Sequence, residues 1–221
     1  MQPLKIDIVS DVACPWCAIG YKRLEKAMAE LSNELTFDIE WHAFELNPDA
    51  GPEGEPILEH LNRKYGRSPA EMEANQAQMI DIATDLGLNF SKLQERYSRN
   101  TFDAHRLLKW AKDEGKQTVL KLALFDTYFG HAENISDPTI LRVAAEAAGL
   151  DGDKAKQILE SDQYADAVRA DEEQYRQAGV SAVPAFVINQ QYLISGAQEP
   201  ETLANAFREI AAGSQEVIDG E

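Results

Sequence analysis

Leu4-Lys-Ile-Asp-Ile-Val-Ser-Asp-Val-Ala-Cys14-Pro15-Trp16-Cys17-Ala-Ile-Gly20 is the stretch on which the fold turns. Residues 4–10 alternate and are rich in β-branched side chains, the mark of a strand. Two cysteines follow, separated only by Pro15 and Trp16. Ile19, Leu24, Met28 and Leu31 then recur at roughly helical spacing. From Thr36 to Phe44 the chain alternates again, with Phe37, Ile39, Trp41 and Ala43 on one face and Asp38, Glu40 and His42 on the other. A strand, a helix and a second strand in this order predict a parallel pair with a right-handed crossover.

Outward from this unit the character changes. Residues 45–56 are rich in proline, glycine and acid and read as a loop. Helices are expected over 57–65, 68–86, 101–114, 117–129, 138–148, 153–159 and 164–178. Ser68-Pro69 and Asp137-Pro138 supply the cap-then-proline start, and Gly87, Gly115, Gly130, Gly149 and Gly179 stand where helices should stop. Strand character returns at Pro184-Ala-Phe-Val-Ile-Asn189. With Tyr192-Leu-Ile-Ser195 across Asn189-Gln190-Gln191, it predicts a hairpin. A last helix runs from Leu203 to Ala211, and 213–221 read as a frayed acidic tail. The expected fold class is α/β, a βαβ–ββα sheet interrupted by a large all-helical insertion. Residues 1–45 and 180–212 form one unit, 46–179 the insertion and 213–221 the tail.

The 221 residues are 44% hydrophobic and 27% charged, ordinary for a globular chain, and the formal net charge is −17. Such a field repels phosphate backbones and anionic membrane surfaces, so neither nucleic acid nor a membrane is expected as a partner. No run is long and apolar enough to span a bilayer, the start lacks signal-peptide features, and a cytoplasmic location is expected. Two cysteines this close cannot form a disulfide framework, because the bridge closes too small a loop to restrain the unfolded chain. Redox chemistry or metal binding is left. Zinc wants four ligands, and His42, His60, His105 and His131 are scattered, so no metal is expected.

At the N-terminus of the first helix, unpaired N–H groups and the helix dipole favour an anion, which activates a thiol there. Cys14 is therefore the expected attacking cysteine. Cys17, one turn on, is the resolving one. Pro15 suits the first helical turn. The spacer Pro15-Trp16 brings no cation, so thiolate stabilisation is expected to come mainly from the helix end and backbone, with only a moderate lowering of the Cys14 pKa. A proline at the first residue of a strand, Pro184, is tolerated by sheet pairing.

Four strings in order, Asp11-Val-Ala-Cys-Pro-Trp-Cys17, Phe44-Glu-Leu-Asn-Pro48, Asn100-Thr-Phe-Asp-Ala-His-Arg106 and Gly179-Val-Ser-Ala-Val-Pro-Ala-Phe186, resemble the DsbA-like branch of the thioredoxin superfamily, in particular its FrnE-like subgroup. The last string leads on to Ser195-Gly196-Ala197-Gln198. The resemblance implies a thioredoxin-like fold and a thiol–disulfide oxidoreductase acting on protein or small-molecule disulfides and thiols. It implies Cys14 near a cis-proline at Pro184, with the Val183 backbone pairing with extended substrate or glutathione. Pro15, Trp16, Val183, Pro184, Asn100, Thr101, His105 and Arg106 become substrate-binding candidates. The last four are expected to line the cleft where the insertion meets the redox helix; His105 and Arg106 equally suit capping or interdomain hydrogen bonding. No bound cofactor is implied; glutathione is a candidate electron donor. Kappa-class glutathione transferases and 2-hydroxychromene-2-carboxylate isomerases are similar in architecture but typically carry serine at the nucleophile, so a transferase or isomerase is the alternative, and a non-catalytic chaperone or binding module the third reading. Oligomeric state stays open.

Overall fold

The structure, a computed structural model, describes residues 3–66 and 68–218. Strand β1 (Leu4–Ser10), helix α1 (Pro15–Glu30) and strand β2 (Phe37–Ala43) open the chain. β1 and β2 are parallel, in register from Leu4 opposite Phe37 to Ser10 opposite Ala43, as the βαβ pattern predicts. After the insertion, β5 (Ala185–Ile188) pairs antiparallel with β1, and β6 (Tyr192–Ser195) antiparallel with β5, giving the order β2-β1-β5-β6. The hairpin turns through Asn189 and Gln190, both at positive φ, as a tight right-twisted turn demands.

β1 is buried on both faces. Ile6 and Ile8 join Phe186, Ile188, Leu203 and Phe207 in the main core. Val9 faces the other way, with Tyr175, Val180 and Ala185. α1 and the terminal helix α9 (Pro200–Ile218) pack against each other, and α8 (Ala165–Gln177) packs on β2. Each fully buried large side chain such as Phe207 contributes about 1.5–3 kcal/mol, so most of the sheet's stability sits in these two layers. α9 continues to Ile218, so part of the expected 213–221 tail is helical, while 219–221 lie outside the described residues. Once Leu203, Phe207 and Ile210 dock, propagation adds further backbone turns cheaply.

The insertion carries α2 (Ile57–Tyr65), α3 (Pro69–Asp85), α4 (Phe102–Asp113), α5 (Gln117–Phe125), a π-helical turn (Asp126–Gly130), α6 (Pro138–Ala147), α7 (Gly152–Leu159) and α8. It is not wholly helical: β3 (Glu55–Pro56) and β4 (Tyr97–Ser98) form a two-residue antiparallel ladder, too short to leave a periodic signal. The Ser68 capping box, with Glu71 as its acid, forms as expected. The insertion is locked to the sheet by Gln117, whose side chain accepts from Trp41 N at 2.9 Å and donates to Trp41 O at 2.8 Å. It thus satisfies a free edge of β2 in place of a further strand.

Candidate active site

Cys14 is the N-cap of α1 (φ −93°, ψ 112°) and Pro15 its first helical residue, where a missing N–H costs nothing. The thiols are unbridged and buried, Cys14 5% and Cys17 1% exposed, while Trp16 beside them is 41% exposed. The Val183–Pro184 peptide is cis, and Cys14 Sγ lies 3.7 Å from the Val183 carbonyl oxygen, placed to donate to it. α1 accommodates this close approach at Gly20. A Cβ there would sit 3.0 Å from Pro184 Cγ and 3.4 Å from Ala197. Pro184 O accepts from Gly196 N at 2.8 Å and Arg23 donates to Ala197 O at 2.5 Å, so the Ser195–Gln198 string braces the proline against α1.

The charges around the thiols lie where the sequence did not suggest. Asp11, buried at the end of β1, accepts from Leu46 N at 2.7 Å and Ala13 N at 3.2 Å. Its Oδ1 is 3.4 Å from His105 Nε2, which also meets the Phe44 carbonyl at 3.1 Å. Burial would push the Asp11 carboxyl up, but the bond and charge of His105 outweigh it and hold Asp11 below the usual carboxylate range.

Lys121 comes in from α5, wholly buried; its Nζ is 3.3 Å from the Ser10 carbonyl oxygen and 5.2 Å from the Trp41 and Phe125 ring centres. The void beside it has no room for a water molecule. Burial pushes its ammonium down to about 8, and the charges on Cys17, Asp11 and Cys14 oppose that fall. Arg96, also buried, stacks over the Tyr128 and Phe129 rings, and its Nε has no partner among the described residues. Burial lowers its pKa, opposed by Tyr128 and then by Cys14.

These neighbours divide the thiols. The hydrogen bond with Cys17 and then burial hold Cys14 well above its ordinary value, and the charge of Asp11 adds to this. Burial would raise Cys17 too, but the Cys14 hydrogen bond, the Lys121 charge and the Ser10 hydroxyl together bring it below the ordinary value. The two sulfurs are joined by that hydrogen bond and titrate together as a pair. The sequence pointed to the helix end and backbone as the main support for a thiolate; the structure adds the buried Lys121 to them. Lys121 left one readable trace. It shares a helical face with Gln117, Leu124 and Phe125 inside an otherwise apolar run, and a lone lysine there is paired or working.

Of the insertion candidates, the structure brings His105 alone among the charged ones next to the dithiol segment, through Asp11. Thr101 is buried as the N-cap of α4. Asn100 is a loop tie: its amide donates to Glu45 Oε2 and to Pro48 O, each at 2.9 Å. Arg106 is not a cleft residue. Its guanidinium donates to the carbonyls of Gln163 (2.9 Å), Ile158 and Ser161 and to Asp103 (2.7 Å), satisfying the C-terminal end of α7. Carbonyls converging at a helix end attract a guanidinium more strongly than an open cleft does.

A family model described as the DSBA-like thioredoxin domain matches residues 5–208. The chain belongs to that family. It is similar to a probable DsbA oxidoreductase from Streptomyces coelicolor, with 34% identity, a TM-score of 0.89, and 93% of this chain and 89% of that one covered. Two more distant structures share the fold. One is a 2-hydroxychromene-2-carboxylate isomerase, at 14% identity and TM-score 0.71 over 96% and 98% of the chains. The other is the cytosolic disulfide reductase DsbM from Pseudomonas aeruginosa with GSH, at 14% identity and TM-score 0.62 over 94% and 98%. As a DSBA-like chain it carries the thioredoxin-like fold with a helical insertion. Among the described residues, no helix is long and apolar enough to cross a membrane.

Proposed function

We propose that this DSBA-like chain is a thiol–disulfide oxidoreductase working through Cys14 and Cys17. The observation that carries the reading is the Cys14 sulfur, at a helix N-terminus and 3.7 Å from the carbonyl of the residue before Pro184. An extended substrate laid along Val183 would bring its sulfur to Cys14 by strand addition. Trp16 and Val183 then flank the incoming chain, and Pro184 with Gly20 sets its depth.

In the reductive direction Cys14 attacks a substrate disulfide as the thiolate, while the proton of the pair stays on Cys17, its hydrogen-bond partner. The substrate S–S bond breaks, one substrate thiolate leaves and takes that proton, and a mixed disulfide remains on Cys14. Cys17, having given up that proton, attacks the Cys14 sulfur as a thiolate and expels the second substrate thiolate, closing Cys14–Cys17. Two molecules of glutathione would restore the dithiol and leave oxidised glutathione. The cytosolic reductase DsbM with GSH, which shares the fold, supports glutathione as donor and a cytoplasmic setting. The presence of both cysteines favours this cycle over isomerase or transferase chemistry, which needs no resolving thiol.

Cys14→Ser should abolish insulin reduction, and Cys17→Ser should accumulate mixed disulfides detectable by mass. Full activity in Cys14→Ser protein would sink the reading. Equilibrating the couple against glutathione redox buffers fixes the direction.

A further inference from the structure

We propose that Asp11 is a positioning residue of the dithiol: its carboxylate, braced by His105 from the insertion, fixes the turn that presents the Cys14 sulfur to the Val183 carbonyl. The proposal rests on the dithiol reading above and deepens it.

The parallel ladder between β1 and β2 ends at Ser10 opposite Ala43. Just beyond it, the exits of both strands still carry backbone groups that need partners, and Asp11 and His105 supply them. Asp11 Oδ2 accepts from Leu46 N at 2.7 Å, and His105 Nε2 faces the Phe44 carbonyl oxygen at 3.1 Å. The same imidazole nitrogen lies 3.4 Å from Asp11 Oδ1. Facing two acceptors, it is the nitrogen that carries a proton and donates. Within its own loop, Asp11 Oδ1 accepts from Ala13 N at 3.2 Å, and the Asp11 carbonyl accepts from Cys14 N at 3.3 Å. One buried residue therefore closes the turn into α1 and ties it to the exit of β2 and to α4. Asp11 and His105 are 1% and 2% exposed, so bulk water cannot replace these bonds.

That turn sets half of the attack geometry. Val183 is held to β1 through Pro184 and Ala185, which stands opposite Val9. Cys14 is held to β1 through Asp11. The 3.7 Å between the Cys14 sulfur and the Val183 oxygen is thus fixed from the end of β1 by two arms, strand pairing on one side and the Asp11 turn on the other. The first arm is a backbone ladder, whereas the second depends on a side chain. A carboxylate suits it because both oxygens accept, one from Leu46, the other from Ala13 and His105. An amide has a single acceptor oxygen, and its amino group would face an N–H donor on whichever side it lay. Relief of that contact swings the turn and carries Cys14 with it. A substrate strand laid on Val183 would then meet a displaced sulfur. A small disulfide without strand contacts would follow the sulfur wherever it stood.

The test compares two reactions of the reduced full-length protein: attack on an extended peptide disulfide, and attack on dithiodipyridine, which is small and uncharged. The ratio of their second-order rate constants cancels any change in thiolate fraction, because both reactions use the same sulfur. Asp11→Asn should lower the peptide-to-small ratio about ten- to a hundredfold, since a misplacement of about 1 Å can cost about a hundredfold. His105→Leu removes the brace from the other side and should lower the ratio about three- to tenfold. His105→Gln, whose amide still donates, should restore most of that loss. A residue needed only for folding would lower the urea midpoint and leave the ratio of the folded protein alone, so an unchanged ratio in folded Asp11→Asn protein overturns the proposal. Should Asp11→Asn not fold, the His105 variants decide, and equal ratios in His105→Leu and parent protein overturn it as well. If Cys14→Ser protein keeps full activity, the dithiol reading itself has failed; if only the ratio stands still, that reading holds and Asp11 is structural.

Discussion

Gly20→Ala tests whether the contact between α1 and Pro184 positions the reacting sulfur. The added methyl would lie 3.0 Å from Pro184 Cγ and 3.4 Å from Ala197 Cα and Cβ. Ordinary carbon–carbon contacts are about 3.5–4.0 Å, so relief needs a separation of about 0.5–1 Å between α1 and the Val183–Pro184 segment. Two effects oppose each other. Alanine in place of a helix-interior glycine stabilises by about 1 kcal/mol, whereas overpacking a filled site costs about 1–3 kcal/mol. The net effect is between no change and a loss of about 2 kcal/mol, read from urea unfolding. Function should suffer more. Pro184 follows the carbonyl that faces Cys14 at 3.7 Å and precedes Ala185, which is pinned opposite Val9. The strand cannot slide, so Val183 must move relative to the sulfur. A misplacement of 1 Å can cost about a hundredfold, and about half that displacement should lower kcat/KM for insulin reduction roughly tenfold. A variant about 1 kcal/mol more stable than the parent, with an unchanged kcat/KM, would refute the reasoning: the propensity gain would then meet no packing penalty.

Arg106→Met removes three hydrogen bonds to carbonyls at the end of α7 and one to Asp103, and should cost about 2–4 kcal/mol in urea unfolding, yet leave the pH profile of disulfide exchange unmoved; a shifted profile would return Arg106 to the cleft. His42 links Asp171 at 3.1 Å and Asp7 at 3.3 Å, tying α8 to the sheet beside Tyr175, Glu40 and Lys109. Burial opposes the charged imidazole, but the bonds to Asp171 and Asp7 outweigh it and raise the His42 pKa. Burial likewise opposes the carboxylates of Asp7 and Asp171, yet His42 holds both below their usual range. The imidazolium's contribution is complete below about pH 6.5 and is lost as pH rises through the raised value; the carboxylates' contribution is complete above about 3.9 and is lost as pH falls. The stability gap between the parent and His42→Gln should therefore be widest between those limits and narrow toward pH 9, and a gap independent of pH would show that His42 is neutral in the folded protein.

What the sequence determined by itself is what depends on neighbouring residues. Alternation over 4–10 and 36–44, a cap-then-proline at Ser68 and Asp137, and turn chemistry at Asn189-Gln190 act over a few residues, and the structure follows them closely. The place of Cys14 at a helix start is local in the same sense, because Pro15 and the apolar spacing after it mark the first turn. The charges that decide how the sulfurs share a proton are not local. Lys121 meets Ser10 across 111 residues of chain, and its role depends on α5 packing against β2 through Gln117. Asp11 and His105 lie in two separate stretches that carry the family resemblance, but nothing in either stretch says that they meet. Arg106 shows the converse: its string pointed to the cleft, and tertiary packing sent it to the carbonyls of α7. Propensity and periodicity act through the backbone within a turn or two, whereas the electrostatics of a buried dithiol are set by whichever charges the fold carries into the same dry space.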